Sequence, residues 1–139
     1  MTQEDKELLL KDLSARLPYG VIVNVKGFDF DFKDKLTQIY KGYGCSIQVT
    51  NNMPYGVEQV KPYLFPMSSM TEEQRREYTK AQSDDGDIVF SCAIKYVETG
   101  ADIVSAEYHV IDWLNAHHFD YRGLIPKGLA NDATNLGIY

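Results

Sequence analysis

The residues best suited to chemistry lie near the end of the sequence, where His117 and His118 precede Asp120. Imidazole nitrogens and carboxylates are groups that bind metal ions or transfer protons. Adjacent side chains on a helix point about 100° apart, so these two imidazoles converge only if the helix ends between them. No H-E-x-x-H pair accompanies them. We therefore predict no metal site and no cofactor, and whether these three residues are functional or structural stays open.

Tyr121 and Arg122 follow directly and offer a possible recognition patch, because Tyr and Arg are enriched at binding hot spots. The alternative is an internal arrangement, in which Arg122 pairs with Asp120 or Asp112 while Tyr121 covers the helix end. We predict the internal arrangement. A pocket near His118 and Arg122 is the site that a small hydrolase or a ligand-binding protein would use.

Two other stretches lack the context that their chemistry needs. Ser68-Ser69 is not part of a G-x-S-x-G elbow, and Gly42-Tyr43-Gly44 does not continue into the G-x-G-x-x-G pattern of phosphate-binding turns. Cys45 and Cys92 fall in apolar runs, where cysteine usually acts as a small buried hydrophobe. The sequence thus indicates no catalytic residue, and we expect a protein without enzymatic activity.

Size and charge bound the class of protein. The 139 residues predict one domain, 1–139, with 131–139 as a tail. The whole net charge of −6 arises after residue 70, and no basic stripe suits nucleic acid or an anionic membrane. A positive patch could arise only through folding, from Lys26, Lys33, Lys35 and Lys41. Without a secretory signal or an apolar run near the ~20 residues of a membrane helix, we expect a soluble cytoplasmic protein.

Tyrosine is the one unusual component, with ten of 139 residues. Tyrosine supplies broad amphipathic contact area at low entropic cost, which suits an interface, although tyrosines covering a thin sheet would look the same. We hypothesise a protein-interaction module that binds a protein partner or a second copy of itself through open sheet edges. The residues nominated for binding are Tyr40, Tyr43, Tyr55, Tyr63, His118, Tyr121 and Arg122.

An N-terminal helix and a small sheet must position these residues. Thr2 and Asp5 form a capping box, after which leucines recur at helical spacing until Pro18. We place Lys6, Lys11 and Asp12 on the solvent side of this helix. Short β-prone runs follow over about forty residues, including a hairpin through Lys41-Gly42-Tyr43-Gly44. They predict a small antiparallel sheet or an SH3-like barrel, with an extended arm between Pro62 and Pro66 lying over it.

The rest of the chain completes an α+β fold. Thr71 and Gln74 start a surface helix. Residues 88–97 are apolar and β-prone, so we predict a strand, with a buried helix as the alternative. A C-terminal helix then carries Trp113, which we expect to be largely buried, and Gly123 is expected to close its exit.

The segment DWLNAHHFDYRGLIPKGLA, Asp112 to Ala130, resembles a family of small uncharacterised proteins of gut bacteria and their mobile elements. The stretch KPYLFPMSSMTEEQRREY and the opening LLLKDLSARLPYGV are similar to the same family. The resemblance covers most of the chain and is weakest over Asp29–Asn52 and after Ala130. It implies no known activity, so no catalytic residue follows from it.

Overall fold

The computed structural model describes residues 1–42, 44–80 and 108–139. The sheet has the order β4-β3-β2-β1-β5-β6, and all neighbours are antiparallel except β5 and β6. The α+β prediction is confirmed, with an open sheet instead of a barrel; the predicted strand 88–97 lies outside the described residues. The elements are α1 (Gln3–Arg16), β1 (Ile22–Lys26), β2 (Asp31–Gly42), β3 (Gly44–Val49), β4 (Pro54–Gly56), β5 (Val60–Leu64), α2 (Glu72–Lys80), α3 (Tyr108–Ala116) and β6 (Asn131–Asp132).

Helix α1 begins at the predicted capping box. Thr2 Oγ1 accepts the Asp5 N–H at 3.1 Å, and the Asp5 carboxylate accepts the Thr2 N–H at 3.3 Å. Hydrogen bonding of the carboxylate to the Thr2 side chain, and next to the Thr2 backbone N–H, favours the ionised form and lowers the pKa of Asp5. Leu9 and Leu13 are fully buried and pack in one core cluster with the inner face of the sheet. Burial of this stripe holds α1 on the sheet.

One residue of α1 contradicts the predicted solvent face. Asp12 has no exposed surface, and it is paired with Arg16, which is equally buried. The apolar pattern placed Asp12 in water because a charged residue is normally exposed. A carboxylate can be buried when basic partners reach it, and Arg122 supplies the second one from the C-terminal region.

The inner face of the sheet supplies most of the first core. β1 lies at its centre and alternates buried Val23 and Val25 with more exposed neighbours. The predicted hairpin is confirmed as β2 and β3, which pair from Leu36 opposite Val49 to Gly42 opposite Gly44. Because α1 covers only one face, the other face of the sheet, called the outer face below, carries mainly polar side chains.

The segment between Pro62 and Pro66, predicted as an arm over the sheet, mostly belongs to the sheet as part of β5. Pro62 stands opposite Val23 of β1. Along a strand, the backbone N–H and C=O groups of successive residues point alternately to the two neighbouring strands. The Leu64 carbonyl points away from β1, because it accepts the Ala133 N–H. The backbone nitrogen of Pro62 points to the same side, away from β1, but β6 is too short to pair with this residue. Its missing N–H therefore costs no ladder bond.

Helix α2 starts at its predicted cap, where Gln74 N–H donates to Thr71 Oγ1 at 3.2 Å and Thr71 N–H to Gln74 Oε1 at 2.9 Å. Its Glu72 and Arg76 form an exposed ion pair at 3.8 Å. Such a pair stabilises a helix by only a few tenths of a kcal/mol. Across the described ranges, no helix is both long and apolar enough to cross a membrane.

Helix α3 forms a second core beside the first. Trp113, predicted as largely buried, is partly buried and stacks on Phe119 with a ring separation of 5.8 Å. The backbone joins this core to the sheet, since Phe65 N–H donates to His118 O and Asp120 N–H to Phe65 O, both at 2.8 Å. The buried members of this cluster are Met67, Met70, Val110, Leu114, Phe119 and Tyr121.

Candidate functional site

His118, and not Gly123, ends helix α3. Its φ of 62° is left-handed, a conformation in which His is among the better tolerated non-glycine residues. The Phe119 N–H donates to Leu114 O at 3.0 Å and the His118 N–H to Asn115 O at 3.2 Å. This pair of bonds is a Schellman motif, which satisfies carbonyls at the end of a helix. The prediction for Gly123 was wrong because a glycine is not required at this position.

The His118 ring lies in the interior. It is 8% exposed and stacks on Tyr139 with 3.7 Å between ring centres. Burial first, then the positive charge of Arg16 and the neighbouring His117, lower the pKa of His118 to about 4. His118 is therefore neutral near pH 7, so the attraction between a positive charge and the negative end of a helix dipole does not act on it.

His117 and Asp120 have separate local partners. His117 Nδ1 lies 2.9 Å from Trp113 O, so it bonds a carbonyl of the last helical turn. The Asp120 carboxylate accepts the Leu124 and Ile125 N–H groups, each at 2.8 Å. Within the described part of the chain, no three His, Cys, Asp or Glu side chains are grouped so that they could hold a metal ion.

Arg122 pairs with Asp12, and not with the predicted Asp120 or Asp112. Its Nε lies 3.3 Å from Asp12 Oδ1, an ion pair without hydrogen-bond geometry. The other Asp12 oxygen accepts Arg16 Nε–H at 2.7 Å. Two guanidiniums thus share one buried carboxylate, which explains why Arg122 is held inside the molecule.

The Tyr121 ring contacts both of these guanidiniums. Arg16 is 5.2 Å and Arg122 4.9 Å from the centre of its ring, within the range of cation–π attraction. The Tyr121 hydroxyl donates to Asn115 Oδ1 at 2.7 Å, and Arg16 Nη2–H donates to Phe119 O at 2.6 Å. These contacts connect α1 to the end of α3, so the structure uses Tyr121 and Arg122 in an internal linkage.

Tyr139 is a residue that the sequence did not single out. Its hydroxyl accepts the Ile22 N–H at 2.9 Å and donates to Tyr63 O at 2.8 Å. Ile22 and Tyr63 would form the next pair of the β1–β5 ladder, so the hydroxyl stands between the two strands in place of a direct bond. Burial raises the pKa of Tyr139 to about 12. The segment 131–139, predicted as a tail, is attached to the sheet by this side chain and by β6.

We expect Tyr139→Phe to lower the free energy of unfolding by about 1–2 kcal/mol, because two backbone groups lose their shared partner. The ring can still stack on His118, so packing is largely retained. Urea unfolding measures the loss, and faster amide hydrogen exchange at Ile22 locates it. Tyr40→Phe is the matched control and should stay within about 0.5 kcal/mol of the wild type. Unchanged exchange at Ile22 would show that the strands close directly without the hydroxyl.

The nominated tyrosines do not share one surface. Tyr55 pairs opposite Ile47 on the inner face and contacts the rings of Phe30 and Phe32, at 5.7 and 5.9 Å. Tyr40 is partly buried, opposite Ser46 on the outer face. Tyr63 also lies on the outer face but is only 6% exposed, and its burial raises its pKa. Tyr43 lies outside the described residues.

A polar groove occupies the outer face where β1, β2, β5 and β6 meet. Its volume is about 590 Å³. Tyr63 forms part of its floor, donating to Asn24 Oδ1 at 3.1 Å, while Asn24 donates to Asp31 at 2.9 Å. Nothing in the sequence pattern marks it, because its residues come from four strands, the β4–β5 connection and the segment after β6. The groove is lined by Asn24, Lys26, Asp31, Glu58, Gln59, Lys61, Tyr63, Asn131, Asp132 and Leu136.

The charges of the groove nearly balance, although lysines lie around it on the outer face. Three of the lysines that could form a positive patch do lie on the outer face, namely Lys26, Lys33 and Lys35. Each is paired across β1 and β2 with a residue whose side chain is also on that face. Lys33 lies over the ring of Tyr63 at 5.3 Å, and Lys26 is 3.9 Å from Asp31. The groove itself contains two lysines and three carboxylates, so it carries no excess of positive charge for a phosphate backbone.

The fold and these sites define a small α+β protein with one polar groove described on its outer sheet face. No protein-family model, curated protein or solved structure matches the chain. The resemblance of residues 112–130 to gut-bacterial proteins therefore stays an expectation.

Proposed function

We propose that the protein is a non-catalytic interaction module that binds a segment of a protein partner in the groove on the outer face of its sheet. The observation that carries this proposal is the contrast between the two faces. The inner face is closed by α1, whereas the outer face presents a groove with amides and charges of both signs. A polypeptide offers matching groups, because its backbone donates and accepts hydrogen bonds and its side chains carry both charges.

The edges of the sheet are poorly suited to pairing with a strand from a partner. At β4, Pro54 has no N–H and the Gly56 N–H already donates to Gln59 Oε1 at 3.0 Å. At the other edge, β6 has only two residues. A short edge with few free donors is a common protection against strand addition. These features support binding on the face of the sheet.

The alternative function, a hydrolase or ligand-binding site near His118 and Arg122, has weaker support. In that region Arg122 is bound to Asp12, and Tyr139 covers the His118 ring. A substrate could reach the imidazole only after Tyr139 had left. Groups that already serve the fold are poor candidates for contact with a ligand.

A charge-neutral pair of variants tests the groove. We expect Lys61→Ala with Asp132→Ala to weaken binding of a captured and identified partner about tenfold, because both side chains line the groove from adjacent strands. Affinity is measured with purified components. Lys11→Ala with Glu4→Ala removes the same charges from the exposed side of α1 and should change the affinity less than twofold.

Equal loss of affinity in both double variants would point to a general charge effect and contradict a specific groove. A partner that binds both as tightly as the wild type would place the interface elsewhere. Capture of a second copy of the chain, seen as a dimer by sedimentation, would make self-association the function of this face.

A further inference from the structure

The turn between β1 and β2 exposes Phe28 to solvent and directs Phe30 toward the core. The Gly27 N–H donates to Phe30 O at 2.9 Å, which leaves Phe28 and Asp29 at the tip. The Phe30 ring lies so close over Gly27 that a Cβ there would be 2.2 Å from it. Phe30 then packs on Phe32 and Tyr55. This packing anchors the base of the turn.

Phe28 has a relative exposure of 106%, the largest of any apolar side chain in the described residues. Another exposed apolar residue, Met53 at 59%, lies in the β3–β4 turn at the same end of the sheet. The Thr50 hydroxyl ties this β3–β4 turn to strand β2, donating to the Asp34 carboxylate at 2.6 Å. A single exposed hydrophobe is ordinary, but here a second one shares the same end of the sheet.

Acidic side chains surround this tip. Asp29 and Asp31 are exposed on the turn and at the start of β2, and Glu58 lies with Asp31 along the groove. Lys26 is the basic residue beside them, 3.9 Å from Asp31. Lys26 and Asp31 line the groove and also flank the turn, so the apolar tip adjoins the groove, with Asp29 and Asp31 on its acidic side. An anionic membrane surface would be repelled by that border.

We infer that Phe28 is the anchor of the interface, inserting into an apolar pocket that basic side chains border on a protein partner. The inference rests on the proposed function and deepens it, because it names the chemistry of the partner. A rigid aromatic side chain entering a pocket is a typical binding hot spot. Asp29 and Asp31 then match the basic border, which raises the association rate and makes it sensitive to salt.

Photo-crosslinking of the full chain tests the anchor. p-Benzoylphenylalanine replaces Phe28 in one variant, Lys61 in the groove in a second and Lys11 on α1 in a third. We expect one protein adduct from position 28 and the same partner from position 61, with none from position 11. The adduct from position 28 should map to an apolar pocket flanked by Lys or Arg.

With that purified partner, Phe28→Ala should weaken the affinity about thirtyfold without changing the melting temperature. Tyr19→Ala removes another exposed aromatic side chain, one that does not line the groove, and should change the affinity less than twofold. Asp29→Lys should slow association, with the difference from the wild type decreasing as salt is added.

The remaining outcomes separate the two proposals. Adducts from position 61 but not from position 28 would leave the groove as the interface and overturn the anchor, whereas adducts from neither would overturn both. Sedimentation with vesicles of phosphatidylcholine and phosphatidylglycerol that depends on Phe28 would assign the tip to a membrane instead. An adduct between two copies of the chain would also overturn the inference, because the pocket would then belong to this protein.

Discussion

Asp12→Ala is expected to lower the free energy of unfolding by about 3–5 kcal/mol, because it leaves buried guanidinium charge without a counter-ion. Asp12 and Arg16 are both fully buried and 2.7 Å apart, so water cannot replace the lost carboxylate. Arg122 loses its partner too, although part of its side chain reaches solvent. Urea unfolding of the variant and the wild type at pH 7 measures the difference.

The second ion pair of the same helical spacing is the matched control. Glu72 and Arg76 are also four residues apart but are mostly exposed, so Glu72→Ala should cost less than about 0.5 kcal/mol. Arg16→Met added to Asp12→Ala should recover part of the lost stability, because it removes the guanidinium that the first change left unpaired. If Asp12→Ala costs no more than Glu72→Ala, the carboxylate is not the counter-ion of a buried charge.

The Asp12 cluster does more than stabilise α1. Arg16 also reaches the Phe119 carbonyl, and Arg122 follows the end of α3, so the cluster connects the first core to the second. The outer groove is on the other side of the sheet. Variants of Asp12 should therefore reduce stability without changing the affinity for a partner, as long as the protein remains folded.

Local signals in the sequence were sufficient for several elements. The caps at Thr2 and Thr71 were predictable because each bond joins residues three apart. The β2–β3 hairpin was predictable from alternating strands on either side of a glycine-bearing turn. In each case the residues that decide the structure are neighbours in the sequence.

Features that depend on distant partners were not predictable in this way. Asp12 is buried because Arg122, 110 residues later, reaches it. The segment between Pro62 and Pro66 was predicted as an arm over the sheet, and its place in β5 depends on pairing with the distant β1. Tyr139 had no local signal for its position between Ile22 and Tyr63. Spacing can show that a side chain is apolar or charged, but it cannot show which remote group will lie opposite it.

The candidate binding surface was predictable only as a region. The sequence placed it near the small sheet from its tyrosines, yet Tyr55 packs inside and Tyr63 is almost fully buried. Phe28 and Phe30 both alternate with aspartates in the sequence, and the structure turns only Phe30 toward the core. Which member of such a pair is exposed depends on the geometry of one tight turn.

His118 should make the protein progressively less stable as the pH falls from about 6.5 to 4. The unfolded chain binds a proton on this imidazole near pH 6.5, whereas the folded pKa is about 4. Within this range the unfolded state holds more protons, so lowering the pH favours unfolding. The expected contribution is a loss of about 1 kcal/mol at pH 5.5 and about 3 kcal/mol below pH 4, relative to pH 7.5.

His118→Asn isolates this contribution, because Asn also tolerates the left-handed conformation and has no titrating group. The variant loses the stack on Tyr139, which is a constant difference at every pH. Carboxylates that titrate in the same range contribute to both proteins. Urea unfolding at pH 7.5, 5.5 and 4.5 should therefore give a steeper loss in the wild type than in the variant. Parallel losses in the two proteins would mean that the His118 imidazole is protonated as easily in the folded chain as in the unfolded one.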